Sequence, residues 1–366
     1  MKKRTNLAKL VDRFYVWCKT TKFCITETRS AKKHLKLISG GYNGTRKEFN
    51  DVVVRYWKKY GVKPKKFWYD LYCYNMNHYD PRFIPDTIWF GKILPYYNNL
   101  LFMRAYTDKG ILDLLYPDVK QPETVIKNIS GIFYDKNWSI LSEQEAINLC
   151  AMHEKLIFKP SIDSGAGRLI EFYDSSLNKK SDLVDYFDRF NSGFIVQELV
   201  EQHETLSNIH KNSLNTVRVI SFYFENKVYI LSSQLRMGSG DSKIDNYSAG
   251  GYACNINSDG TLSSTAVSKY SEDSEYHPSG IAFKDIKVPS YHKLLKTVEN
   301  LHKKTPYYNL IGWDFGISRE GDPVLLEFNV TQGQNQLGSR VPTFLDLTEE
   351  VLEDVFIKKS LKDLKN

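Results

Sequence analysis

The run Leu310–Val330, LIGWDFGISREGDPVLLEFNV, reads as two apolar strands joined by a polar turn, yet Asp314 and Glu327 sit where such strands carry apolar residues. A tight turn centred on Glu320 and Gly321 sets Asp314 directly opposite Glu327. Alternation then places Glu327 and Asn329 on one face and Val324, Leu326 and Phe328 on the other. Facing acids whose side-chain roots lie roughly 5 Å apart repel each other. That register is tolerable with a cation between them, and two carboxylates with a carboxamide suit a hard ion such as Mg2+. By the same reasoning, converting one acid to its amide should relieve repulsion. The alternative is a shifted register with both acids solvated on an exposed face.

The 366-residue chain is 42% hydrophobic, enough for one large domain or two to three subdomains. No window approaches the run of about 18 apolar residues that a membrane span needs. Charges also interrupt MKKRTNLAKLVDRFYVW too early for a secretory signal. A cytoplasmic address follows, with a peripheral position at the inner membrane face left open. Cys18, Cys24, Cys73, Cys150 and Cys254 form neither a C-x-x-C pair nor a zinc-like group, which predicts reduced thiols. The formal net charge of +7 conceals an asymmetry: residues 1–66 hold nineteen Lys or Arg against four Asp or Glu. Such a block is either a solvated surface or a docking site for an anionic partner.

Spacing predicts helices over NLAKLVDRFYVWCK and EFNDVVVRYWKKYG, the second stopped by Gly61. The aromatics that follow, among them Trp57, Tyr60, Trp68, Tyr69 and Tyr72, fit a core better than a stacking surface for sugars or bases. Pro81–Asn99 reads as irregular, and TDKGILDLLY as helix-like. From about Gln121 short strands and helices follow: ETVIKNISGIFY, a helix SEQEAINLCAMHE with Ser142 and Glu145 as a capping box, KLIFKP, the loop and strand SIDSGAGRLIEFYD, another helix, and FIVQELV. Strands TVRVISFYF, KVYILSSQLRM and GYACNIN come next, then the helix HKLLKTVENLHKK. The C-terminal DLTEEVLEDVFIKKSLKDL should pack its apolar stripe on the sheet.

A second constellation lies upstream of the acidic hairpin. Lys159 ends a strand before SIDSGAG, where small residues would let backbone N–H groups approach phosphate oxygens, although such a loop can equally be a plain turn. Arg218 in NTVRVISF and Arg236 in SSQLRMG lie within strands, and guanidinium groups aimed from strands suit phosphate or carboxylate recognition. Either could instead be an edge residue. His277 in EYHPSG reads as a structural histidine rather than a base.

KP before a small-residue loop, QEL about forty residues on, an arginine strand and the ending D-x12-E-x-N together resemble the ATP-grasp enzymes. Over residues 80–340, with FIPDTIWFGKILPYYNN and YTDKGILDLLYPDVKQPETV, the chain is most similar to the sugar-transfer-associated group of polysaccharide biosynthesis loci. The resemblance implies an α+β ATP-grasp fold, two subdomains clamping ATP. It divides the chain into a basic, aromatic, mainly helical region (1–105), a lid subdomain (106–200) and a C-terminal subdomain with the metal site (201–366). It implies that Lys109 and Lys159 face phosphate, with Ser164, Gly165 and Gly167 in the phosphate loop. Gln197, Glu198, Leu199 and Val200 would hold adenine. Arg218 and Arg236, with Lys159, would act at the transferring group, Asn246 and Gly250 near the acceptor, and Asp314, Glu327 and Asn329 on Mg2+. The basic helical N-terminal region departs from the compact α/β unit usual there, so acceptor recognition cannot be copied from peptide ligases.

The expected activity is an ATP-dependent carboxylate–amine ligase that works through an acyl phosphate. Its substrates would be an amino acid or amine and a carboxylate-bearing, glycan-linked acceptor; nucleic acid is not expected. The alternatives are a kinase acting on a hydroxyl and a non-catalytic glycan- or nucleic-acid-binding module with a degenerate nucleotide site.

Overall fold

The computed structural model describes residues 6–38, 42, 44–74, 76–162, 169–246, 250–268 and 273–358. Ser164, Gly165 and Gly167 lie outside them. Two six-stranded antiparallel sheets carry the chain. Residues 124–198 supply β1 (Thr124–Ile129), β2 (Ile132–Asp135), β3 (Ile140–Leu141), β4 (Lys155–Pro160), β5 (Glu171–Asp174) and β6 (Phe194–Glu198), in spatial order β3-β2-β1-β6-β4-β5. The second sheet contains β7 (Thr216–Phe224), β8 (Lys227–Met237), β9 (Tyr252–Ile256), β10 (Leu262–Ser268), β11 (Leu310–Ile317) and β12 (Pro323–Asn329), in order β10-β9-β8-β7-β11-β12.

In the first sheet Leu156, Phe158, Phe194 and Val196 pack beneath the helices Glu143–Cys150 and Lys180–Phe190. The capping box closes as expected, with Ser142 Oγ accepting from Glu145 N–H and the Glu145 carboxylate accepting from Ser142 N–H. Alternation turns Lys159 and Gln197 to the opposite face, away from those helices. ETVIKNISGIFY is two strands, because Ser130 and Gly131 both adopt positive φ (54° and 88°), the geometry of a tight hairpin turn.

The second sheet has one face zoned along its strands. On β7, Ile220, Phe222 and Phe224 belong to the same core as the N-terminal aromatics Trp57, Trp68, Tyr69 and Tyr72, whereas Arg218 continues that face beyond the apolar zone. Leu310 lies opposite Phe222, Gly312 opposite Ile220, and Asp314 opposite Arg218. The aromatic cluster is therefore core, as expected, and it covers the half of the face adjoining the polar residues. The helix Thr348–Glu353 and the turn Asp354–Lys358 add Val351, Leu352 and Val355 to that core. Leu294, Val298 and Leu301 of the helix Tyr291–Lys303 pack on the other face.

The structure departs from the expected elements in three places. Pro81–Asn99 is largely helical, Asp86–Tyr97. Pro85 stands at the N-cap, and a wide π-turn over Trp89–Ile93 sets Pro95 at the start of the next helical segment, where its missing N–H costs little. β10, TLSSTAVS, escapes notice because its serines and threonines dilute the strand pattern. α1, Asn6–Leu37, extends well past the stretch that spacing predicts.

Candidate active site

The acidic hairpin reaches the expected pairing by a different route. Ser318 and Asp322 close a loop of three residues in which Gly321 takes φ 87°, so the strands start one residue out of step with a two-residue turn. A bulge at Leu326 absorbs the offset: Phe315 pairs with Leu325, but Asp314 pairs with Glu327. The bulge also changes the face assignment, for Val324, Leu325 and Phe328 are buried while Leu326 is only half-buried. β12 is an edge strand, which accommodates Pro323.

Asn329 Nδ2 donates to Asp314 Oδ2 at 3.4 Å and to Glu327 Oε1 at 3.3 Å, so the three side chains converge. Each acid also has a cation. Arg218 grips Asp314 with its guanidinium fork, Nη2 to Oδ2 at 2.5 Å and Nε to Oδ1, and Arg236 Nη1 stands 3.6 Å from the same carboxylate. Lys109 Nζ lies 2.8 Å from Glu327 Oε2. Its backbone N–H donates to Ser161 O at 2.9 Å, fixing the Lys109 turn against the end of β4 and thus near Lys159. Burial, opposed and outweighed by Lys109, Arg218 and Lys159, leaves the Glu327 carboxyl pulled down to about 2. Burial and the Lys109 charge push Lys159 down to about 8, against the pull of Glu327.

The other candidates lie at the end of β6, in the link that follows it, and in and beyond the loop after Arg236. Gln197 is buried at the end of β6 with Nε2 donating to Thr124 Oγ1 at 3.0 Å, and its Oε1 has no partner among the described residues. Glu198 is exposed and meets His153 at 2.8 Å, Leu199 is exposed, and Val200 is half-buried in the link to the second sheet, which His203 N–H joins at Ile317 O. Gly250 O accepts from Ser239 Oγ at 2.8 Å and Asn246 O from Gly251 N–H at 3.1 Å, both in the loop after Arg236. His277 is buried, with Nε2 at Gly238 O and Nδ1 at Ser279 Oγ, as a structural histidine would be.

Sequence reasoning missed two features. Asp245 accepts from Thr216 Oγ1 and N–H beside Arg236, and burial pushes its carboxyl up to about 6. Downstream of Asn329, the run TQGQNQ straps the site to the N-terminal helices. Gln332 O accepts from Trp89 Nε1 at 2.9 Å, and Gln334 Nε2 donates to Asp86 Oδ1 at 2.7 Å. Gly312 leaves room for this strap, since a Cβ there would stand 2.9 Å from Gln332 Cβ. The glutamine density right after E-x-N was the available signal.

Residues 172–338 match the family described as sugar-transfer associated ATP-grasp. This segment is similar to ATP-grasp domains. It contains β5 through β12, and with them Arg218, Arg236, Asp314, Glu327 and Asn329, whereas Lys109 and Lys159 precede it. No curated protein matches the chain significantly. Among solved structures, similarity extends to the ATP-grasp ligase PsnB in complex with a precursor variant, Mg and ADP (13% identity, 70% of this chain and 60% of that one, TM-score 0.38). It also extends to D-alanyl-alanine synthetase A from Vibrio cholerae (12%, 69% and 65%, TM-score 0.41) and an L-amino acid ligase from Bacillus licheniformis (10%, 69% and 48%, TM-score 0.39). The chain thus spans about half to two-thirds of the length of these proteins.

The low proton affinity of Lys159 has a stability consequence. Between pH 8 and 10.5 the folded protein binds fewer protons at this lysine than the unfolded chain does, so stability rises with pH across that window. Below pH 8 the penalty is constant, at most about 3 kcal/mol. Lys159→Met should be more stable than the parent at pH 7.5, with the gap narrowing by pH 10. Urea unfolding at both pH values checks this, and an equal gap at both would contradict it.

Proposed function

We propose that this chain is an ATP-dependent, ADP-forming carboxylate–amine ligase. The observation that carries the reading is the convergence of Lys109, Lys159, Arg218 and Arg236 on Asp314, Glu327 and Asn329. The cationic excess suits a polyphosphate, and the oxygen set suits a hard divalent cation, with Glu327 remaining ionised throughout the working range. Among the described residues no cluster of three or more His, Cys, Asp or Glu competes for such an ion.

In this reading Asp314, Glu327 and Asn329 hold Mg2+, which when bound neutralises phosphate oxygens. Lys109 and Lys159 hold the phosphate chain, and Gln197–Val200 border the adenine at the passage between the sheets. Ser164, Gly165 and Gly167 belong to the phosphate loop on sequence grounds alone. Arg218 and Arg236 orient the substrate carboxylate and stabilise charge at the transferring group. A carboxylate oxygen bonds to the γ-phosphorus as the bond to ADP breaks. The amine nitrogen then bonds to the acyl carbon as phosphate leaves with that oxygen, and the amine loses a proton. Asn246 and Gly250 lie toward the acceptor. The lid would be residues 106–200 and the metal-bearing subdomain residues 201–366, with 1–105 serving acceptor recognition. The family description, sugar-transfer associated, supports a sugar-linked substrate; the reading completes it with a carboxylate-bearing sugar or uronic acid of a surface polysaccharide precursor as acceptor and an amino acid as amine donor, in the cytoplasm.

Hydroxylamine should trap the activated carboxylate as a hydroxamate, and 18O from the carboxylate should appear in the released phosphate. A stable phosphorylated product without oxygen transfer would establish a kinase instead.

A further inference from the structure

α1 has two apolar faces, and only one is covered. Along its second half Phe23 stacks on Phe90 with ring centroids 5.1 Å apart, Cys24 Sγ reaches Thr87 O at 3.5 Å, and Ala31 is buried. Toward its start the opposite face is open: Leu7, Leu10, Val11, Phe14, Tyr15 and Trp17 are each 44% to 70% exposed. Their spacing of three and four residues makes one continuous stripe, and Phe14 and Trp17 stack on its crest with centroids 5.9 Å apart. Six large apolar side chains on one exposed stripe exceed the scattered hydrophobics normal on a soluble surface.

The charges beside the stripe identify what would cover it. Lys9, Arg13, Lys19 and Lys22 stand against one acid, Asp12, in this part of the helix. An apolar stripe rich in Leu, Phe and Trp, flanked by bases, is the composition of a helix lying in the plane of an anionic bilayer. No helix among the described residues is long and apolar enough to cross a membrane. We infer that the first half of α1 is an interfacial anchor that inserts Leu10, Phe14 and Trp17 into an anionic lipid surface. The covered half of α1 packs on the helical segment Asp86–Tyr97, to which the strap after Asn329 is bonded. An anchored α1 would therefore hold the candidate site at the membrane surface. This inference is independent of the nucleotide reading.

The test is sedimentation of the full chain with vesicles of phosphatidylglycerol and phosphatidylcholine, set against phosphatidylcholine alone. Binding should require the anionic lipid, and Trp17 emission should shift to the blue; Trp57, Trp68, Trp89 and Trp313 are already buried. Phe14→Glu with Trp17→Glu should weaken partitioning at least about tenfold, because two apolar anchors become charges in the interface. Both sites are exposed, so a thermal melt should be unchanged. Lys9→Gln with Arg13→Gln leaves the stripe intact and should weaken partitioning about thirtyfold, given about 1 kcal/mol per basic residue near an anionic surface. Undiminished binding by the Phe14/Trp17 variant overturns the anchor. So does self-association through this face without vesicle binding, which would assign it to a second copy of the chain.

Discussion

Glu327→Gln should lower ATP-dependent turnover at least about a hundredfold, the scale expected when a major electrostatic contact to a transferring group is removed. The substitution keeps the shape of the side chain and deletes one negative charge. In the structure that charge has two partners. Asn329 reaches Oε1 at 3.3 Å and Lys109 reaches Oε2 at 2.8 Å, so the loss falls on the cation-holding set and on the lysine that would hold phosphate. The hairpin alone suggests that the amide relieves repulsion and stabilises the fold. The structure reverses that sign, because Glu327 is matched to Lys109 and lies within reach of Lys159 and Arg218. The variant should be modestly less stable, and Lys159 should titrate further below its ordinary range without the one neighbour that raises it. Turnover with an identified substrate pair at saturating Mg2+, together with urea unfolding, separates the effects. Normal turnover would remove Glu327 from the site.

The legible part of this site was the part written in short-range pattern. The placement of Glu327 and Asn329 on one face follows from strand alternation, and even a wrong turn set Asp314 correctly opposite Glu327 because the bulge at Leu326 compensates for the longer loop. That compensation cannot be read from sequence: Leu326 is as apolar as its neighbours, and nothing marks it as the residue that leaves the ladder. Alternation likewise could not reveal that β7 divides its face between the aromatic core and the site, since that depends on which distant helices land on Phe222 and Phe224. The basic block was legible as charge but not as geometry. Lys66 looks like a solvated member of GVKPKK, yet it is paired with Asp70 at 2.7 Å and lies over the Tyr79 ring, whereas Lys63 and Lys65 remain exposed. The exposed stripe of α1 escaped for the same reason: an apolar residue at helical spacing announces a buried face, and the chain does not say which of two such faces is covered.

Arg218→Met should destabilise the protein by about 3 kcal/mol, the cost typical of removing one partner from a buried ion pair. Arg218 and Asp314 expose only 10% and 6% of their side chains, so solvent cannot replace the guanidinium. What remains near Asp314 is Arg236 at 3.6 Å and the Asn329 amide at 3.4 Å, neither of which reproduces the paired contact of the fork. Asp314 would then be an acid in a strand whose eight residues are all buried. Removing both charges is a different matter. Arg218→Met with Asp314→Leu deletes the desolvation cost along with the attraction, so the double variant should recover at least half of the lost stability while remaining inactive. The pair would thereby be identified as a group kept for function, since a fold that needed it for stability would suffer more from losing both members than one. Arg236→Met provides the contrast: burial and Arg218 both push its proton affinity down, so its removal should relieve a like-charge contact and change stability by less than about 1 kcal/mol. Urea unfolding of the parent and these three variants decides the matter, and a double variant no more stable than Arg218→Met alone would overturn the functional reading of the pair.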